Sequence, residues 1–193
     1  MVFSQFFSAG SPQQSLAGAD LAPASVSGLD KQASAVSPPW ILDTLFRNLS
    51  YDLEQVAGVI DPILTAKNHC YRTDCYIQGL ITEDRAFLST NLTPGCDIHV
   101  TPCGTRWLLG QGSHCALNFS QSGIALCHAA INFDPRRGFF IADLDTPGGT
   151  WVNGHRLAAA QRHYLQDGDL IKLGDLRFEF LQQQCEESAW MDD

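Results

Sequence analysis

The sequence predicts an all-β fold: a sandwich of two antiparallel β-sheets, with a helical extension before it and disordered tails at both ends. Three observations predict it. From about residue 96 the chain falls into short apolar segments rich in β-branched and aromatic residues. Gly, Asp, Asn and Pro separate them, as in sandwiches built from hairpins. Turn residues are dense, above all in "FIADLDTPGGTWVNGHRL" at 140–157. Helical periodicity appears only ahead of these segments.

Composition sets the outer limits. A chain of 193 residues accommodates one ordinary domain plus appendages. Hydrophobic content of 45% against 17% charged is that of a globular chain. The formal charge of −9 argues against nucleic acid or an anionic membrane surface as partner. The acid is unevenly spread: residues 98–182 hold seven Lys/Arg and seven Asp/Glu and are neutral, whereas the tail "CEESAWMDD" holds four acids and no base. No run of residues is long and apolar enough for a membrane span. The opening "MVFSQFF" has neither the basic nor the apolar region of a signal peptide. Seven cysteines (70, 75, 96, 103, 115, 127 and 185) are an odd number at irregular spacings. They read as reduced thiols of a cytoplasmic protein.

Residues 1–36 carry only Asp20, Asp30 and Lys31 as charges among Ser, Ala, Gly, Pro and Gln. Such a segment buries too little to offset its ordering entropy and reads as a disordered arm. The aromatics Phe3, Phe6 and Phe7 at its tip suit a docking peptide or a merely greasy end. Residues 37–95 form a helical and mixed extension. Ser37 is its expected N-cap, with proline at the first helical position. One helix over 40–66 is expected, with Leu49, Leu53, Val56, Ile60 and Leu64 as its apolar stripe and Pro62 as a kink or stop. The stripe covers the chain's own core, a partner, or a second copy in a homo-oligomer. Within 69–95, "CYIQGLI" reads as a strand and "TEDRAF" as a turn of helix. His69, Cys70 and Cys75 invite a zinc reading, but the C-x4-C spacing has no second pair to match it. No metal or other cofactor is therefore expected.

Residues 96–183 are the sandwich, and 184–193 an acidic tail. Asn153-Gly154, between "TWV" and "HRL", is a type I′ hairpin signal, because both residues tolerate positive φ. "QDGD" at 166–169 marks a further turn.

Four segments within 98–182 carry a resemblance: "RWLLGQGSHCALNF", "IALCHAAI", "FFIADLDTPGGTWVNGHRL" and "LQDGDLIKLGDLRFEF". In this order they resemble the landmarks of the forkhead-associated (FHA) family. The resemblance implies an FHA/SMAD-like sandwich, in which loops at one end read phosphothreonine peptides. A phosphate reader needs a fixed cation and convergent donors. Here the sequence departs from the family. The family's Gly-Arg is Gly110-Gln111, so the cation is gone. Its S-x-x-H box is Ala125-Leu126-Cys127-His128, keeping the histidine and losing the hydroxyl. Its S-x-N-G-T loop is Thr146-Pro147-Gly148-Gly149-Thr150, with glycine in place of asparagine. Losing charge-assisted hydrogen bonds worth about 1.5–3 kcal/mol each costs roughly a hundredfold or more in affinity.

The resemblance assigns Gly110, His128, Gly149, Thr150 and Gly154 to the family's architecture. His128 braces loops in that family, and no paired carboxylates or nucleophile elbow accompany it here. The expected partner-contacting loop positions are Gln111, Ser113, Ser122, Ala125, Arg136, Arg137, Thr146, Gly148 and Asn153. Arg136 and Arg137 are candidates for a displaced phosphate site. Three functional readings follow. The chain is a non-catalytic adaptor binding a protein independently of phosphate, or a phosphothreonine reader with a rearranged pocket. The weakest reading is a zinc- or thiol-dependent enzyme seated on residues 69–103. Phosphopeptide titration separates the first two readings, and metal analysis tests the third.

Overall fold

The computed structural model describes residues 39–82, 85–93 and 96–185. The arm with Phe3, Phe6 and Phe7, the Ser37 cap and the tail beyond 185 lie outside the described residues.

Two helices open the described chain, α1 (Pro39–Asn48) and α2 (Leu53–Thr65), and a 3-10 turn over Ala66–His69 follows. The single helix expected over 40–66 is broken. Ser50 and Tyr51 both take positive φ (55° and 63°), which ends α1. Asp52 then caps α2, its Oδ1 accepting from the backbone N–H of Glu54 (3.0 Å) and Gln55 (3.1 Å). The break rotates the second half of the stripe. Ile41, Leu45 and Leu49 of the first helical segment and Val56, Val59 and Ile63 of α2 are buried, while Leu53 is 71% exposed. Pro62 stays inside α2, and its carbonyl accepts from the Gln78 side chain at 3.2 Å.

Twelve strands follow: β1 (Tyr76–Ile81), β2 (Ala86–Thr90), β3 (His99–Val100), β4 (Arg106–Gly110), β5 (Leu117–Asn118) and β6 (Ala129–Asp134), then β7 (Gly138–Asp143), β8 (Thr150–Val152), β9 (His155–Arg156), β10 (His163–Tyr164), β11 (Asp169–Leu173) and β12 (Leu176–Gln184). They build two sheets, ordered β3-β2-β1-β12-β11-β8-β9 and β10-β7-β6-β4-β5. The sheets are mixed rather than purely antiparallel. β1 runs parallel to β12, with Tyr76 opposite Glu179, and β4 runs parallel to β5.

Strand pairing therefore begins at Tyr76, ahead of the boundary expected at 96. Of "TEDRAF", read as a turn of helix, residues 83 and 84 lie outside the described residues, and Ala86 and Phe87 are strand. Ala86–Thr90 is strand β2, paired antiparallel to β1, and Thr82 N–H donates to Arg85 C=O at 2.9 Å across the connection.

The core fills the space between the sheets, from Ile77, Leu88, Trp107, Leu109 and Phe119 on to Ile131, Phe139, Ile171, Phe178 and Phe180. Gly79 leaves room for Phe139, since a Cβ there would lie 2.4 Å from that ring. β1 and β2 are covered on both faces. Their outer residues Leu80 and Phe87 pack with Val100 against Ile41, Leu45, Leu49, Val56, Val59 and Ile63, so the helical stripe is satisfied by the chain's own sheet. Asn48 anchors the end of α1, donating to Thr101 C=O (2.8 Å) and accepting from Cys103 N–H (3.1 Å). Among the described residues no helix is long and apolar enough to cross a membrane.

Candidate protein-interaction face

Strand directions bring the predicted loops together. β4 and β7 end where β6 begins, so the segments 111–116, 120–128 and 144–149 share one end of the sandwich. The hydrogen bonds confirm it. Gln111 N–H donates to Ala125 C=O (3.0 Å), Gly112 N–H to Leu126 C=O (2.9 Å) and Leu144 N–H to His128 C=O (3.0 Å). Gly110 permits the closest approach, because a Cβ there would sit 2.4 Å from the Leu126 carbonyl oxygen.

His128 is fully buried beneath these loops. Its Nδ1 accepts from Ala125 N–H at 3.0 Å. The proton therefore sits on Nε2, which faces Gly149 C=O and Thr146 Oγ1, each at 3.2 Å. The Asp143 carboxylate lies behind. It accepts from Thr146 N–H (3.0 Å), the Thr146 hydroxyl (2.9 Å) and the Thr150 hydroxyl (2.8 Å). Burial pushes the Asp143 carboxyl up, but those hydrogen bonds more than offset it, holding its pKa below the ordinary value. Every polar atom of the histidine is spent on holding loops.

The predicted partner positions divide. Gln111, Ser113, Ser122 and Gly148 lie exposed at this end, with Ala125 half-buried among them. The Gln111 side chain is tied back, donating from Nε2 to Gln121 C=O at 2.9 Å. Thr146 is buried and turned inward. Arg136 and Arg137 stand in the β6–β7 turn, at the opposite end of both strands, and Arg137 stacks on the Tyr164 ring at 3.9 Å. They supply no cation here. Asn153 sits at the far end of β8. It holds Asp169 Oδ1 (2.7 Å) and Leu170 N–H (3.0 Å), with φ of 49° beside Gly154 at 83°, as the type I′ turn requires.

Three residues at this end were not singled out from the sequence. Arg156 pairs across the hairpin with Trp151 and donates from Nη2 to Pro147 C=O at 3.1 Å. It is therefore the arginine that reaches the 146–149 loop. Leu126 and Leu144 are large apolar side chains left 68% and 41% exposed. Leu126 fills a free position of the S-x-x-H box, which was the signal available for it.

A second polar anchor lies at the β1–β12 pair. Glu179 is buried, and its carboxylate accepts from the backbone N–H groups of Tyr71 (3.1 Å), Arg72 and Thr73 (2.7 Å). Burial raises its pKa, but these three donors prevail and the net shift is downward.

No curated protein matches the chain. Among solved structures it is similar to an FHA domain studied for its phosphothreonine-dependent interactions (26% identity, 44% of this chain and 83% of that chain, TM-score 0.37). It is similar to the FHA domain of an Arabidopsis thaliana hypothetical protein (27%, 44% and 75%, TM-score 0.38). A third is the N-terminal FHA domain of S. cerevisiae Rad53p in complex with a phosphothreonine peptide (24%, 36% and 56%, TM-score 0.34). FHA domains are protein–protein interaction modules, usually phosphothreonine-binding and generally not enzymes. The family model of the FHA domain matches residues 107–174, the strands and loops that frame His128.

Proposed function

We propose that this chain is a non-catalytic adaptor whose FHA domain binds an unphosphorylated protein surface with the loops at the His128 end. The observation that carries the reading is the pocket's chemistry. At Gln111, Ala125 and Gly148 a tethered amide, a methyl group and a bare backbone stand where a phosphate needs charge and hydroxyl. The same face exposes Leu126 and Leu144 beside Ser113 and Ser122, the mixture of apolar centre and polar rim that suits a protein surface. The partner is a protein rather than nucleic acid, because residues 98–182 are neutral and the whole chain acidic. The odd number and irregular spacing of the seven cysteines support a cytoplasmic adaptor.

One observation favours a second reading. Arg156 reaches the 146–149 loop, so a phosphothreonine reader rebuilt around that arginine is the alternative. Calorimetric titration of the full chain with matched phosphorylated and unphosphorylated threonine peptides decides. The expected outcome is weak binding that phosphate strengthens by less than tenfold. Micromolar binding that vanishes on dephosphorylation and in Arg156→Ala would replace the first reading with the second.

A further inference from the structure

Outside the His128 network, the 112–115 turn leans on the 126–127 segment. Gly112 sets the approach: a Cβ there would lie 2.5 Å from His114 Cε1 and 2.9 Å from the Leu126 carbonyl oxygen. Cys115 N–H closes the turn on Gly112 C=O at 3.0 Å. The result is a juxtaposition that no sequence spacing announces. One ligand atom each from His114, Cys115 and Cys127 lies within 4.8 Å of the other two. His114 Nε2 stands 2.9 Å from Cys127 Sγ, and Cys115 Sγ reaches Leu126 C=O at 3.1 Å. Among the described residues this is the one such grouping of three. His69, Cys70 and Cys75, the trio with local spacing, do not make one.

We infer that His114, Cys115 and Cys127 form a binding site for a borderline-soft divalent cation of the zinc class, with a fourth coordination position open at the loop face.

Donor chemistry selects the ion. Two thiolates and an imidazole suit zinc, whereas magnesium and calcium require oxygen. Two thiolates also balance the charge of a divalent ion, so the occupied site adds no net charge to the loop end.

Geometry is compatible. Tetrahedral zinc, with metal–sulfur near 2.3 Å and metal–nitrogen near 2.0 Å, places sulfur atoms roughly 3.8 Å apart and sulfur about 3.5 Å from nitrogen. Reaching those spacings from the present ones requires movements of about 1 Å or less. The moving parts are an exposed histidine and a half-buried cysteine in a surface turn. Cys127 is the fixed member, because it precedes the braced His128. A cysteine–histidine pair alone suits a nucleophile equally well. The second thiol within the same radius brings the donors to three, the number a metal site with one open position uses.

The site bears on the interaction face whichever partner reading holds, because the ion would tie the 112–115 turn to the segment carrying Leu126. The test uses the full chain, reduced with a phosphine and kept anaerobic, titrated with cobalt(II) and then zinc. The expected result is one equivalent of cobalt, with the intense visible bands of tetrahedral coordination and a thiolate charge-transfer band. Zinc displaces it and raises the unfolding midpoint. Cys115→Ser/Cys127→Ser abolishes the bands and the zinc-dependent midpoint shift. His114→Ala weakens binding at least tenfold, and Cys70→Ser/Cys75→Ser leaves it unchanged. The proposal is overturned by weak octahedral bands only, or by tetrahedral bands that survive in Cys115→Ser/Cys127→Ser. Circular dichroism matching the parent checks that each variant is folded.

Discussion

Truncating the buried histidine to His128→Ala tests the claim that it holds loops rather than ligand. Two hydrogen bonds and the packing of the ring go at once. The Gly149 carbonyl loses the Nε2–H in a fully buried position and costs about 2 kcal/mol. Ala125 N–H is half-buried, water replaces part of its bond, and its share is about 1 kcal/mol. The imidazole leaves a void of about 60 Å³, which adds roughly 1.5 kcal/mol at about 24 cal/mol per Å³. The combined loss is about 4.5 kcal/mol, or roughly 9–18 °C in unfolding midpoint for a chain of this size. Urea denaturation followed by fluorescence and circular dichroism reads it, with an unchanged m-value as the check on two-state behaviour. Gln111→Ala on the same face is the control, expected within about 0.5 kcal/mol of the parent. A loss below about 1.5 kcal/mol for His128→Ala would refute the bracing role and return the histidine to the list of groups available for chemistry.

Other outcomes follow from the packing and the carboxylates. Gly110→Ala forces a Cβ against the Leu126 carbonyl and is expected to cost at least about 2 kcal/mol in urea denaturation; a neutral result would show that the loops part easily. Leu45→Ala empties a fully buried position between α1 and the sheet, and thermal unfolding is expected to report a loss of about 3 kcal/mol. The pKa values of Asp143 and Glu179 are depressed below the ordinary 3.8 and 4.5. Their contribution to stability is present at neutral pH and lost as pH falls through the folded values. Asp143→Asn is therefore expected to be less stable than the parent at neutral pH and to lose less between about pH 5 and pH 2. Parallel acid titrations would count against this.

The region that matches the FHA family model was legible because its signals are local. Asn153-Gly154, the 146–150 loop and the alternation of β7 are each written within a few residues of chain. The segment 76–90 was illegible for a physical reason. β1 and β2 are buried on one face by the sandwich and on the other by helices, which erases the period-two pattern that marks a half-exposed strand. The helix break was hidden because Ser50 and Tyr51, neither of them glycine, carry the positive φ. At the interaction face the retained histidine could be read from its box. Arg156 could not, because its position depends on the β8–β9 register and the approach of the 146–149 loop. The His114, Cys115 and Cys127 grouping was equally hidden, since it forms only when two separate loops dock.

The parallel pairing of β1 with β12 has a kinetic consequence. The β1–β2 hairpin leaves the ribosome early, with one apolar face able to settle on α1 and α2. Its other edge waits for a strand roughly a hundred residues downstream, which at about 5–20 residues per second takes on the order of 5–20 s. During that interval Ile77 and Leu88 face water and the β1 edge is an open template for another chain. The closing event is long-range and slow, so this protein is most exposed to misassembly just before the last described strand emerges. A fragment cut to residues 96–183 inverts the problem, because it leaves the β12 edge permanently without its neighbour.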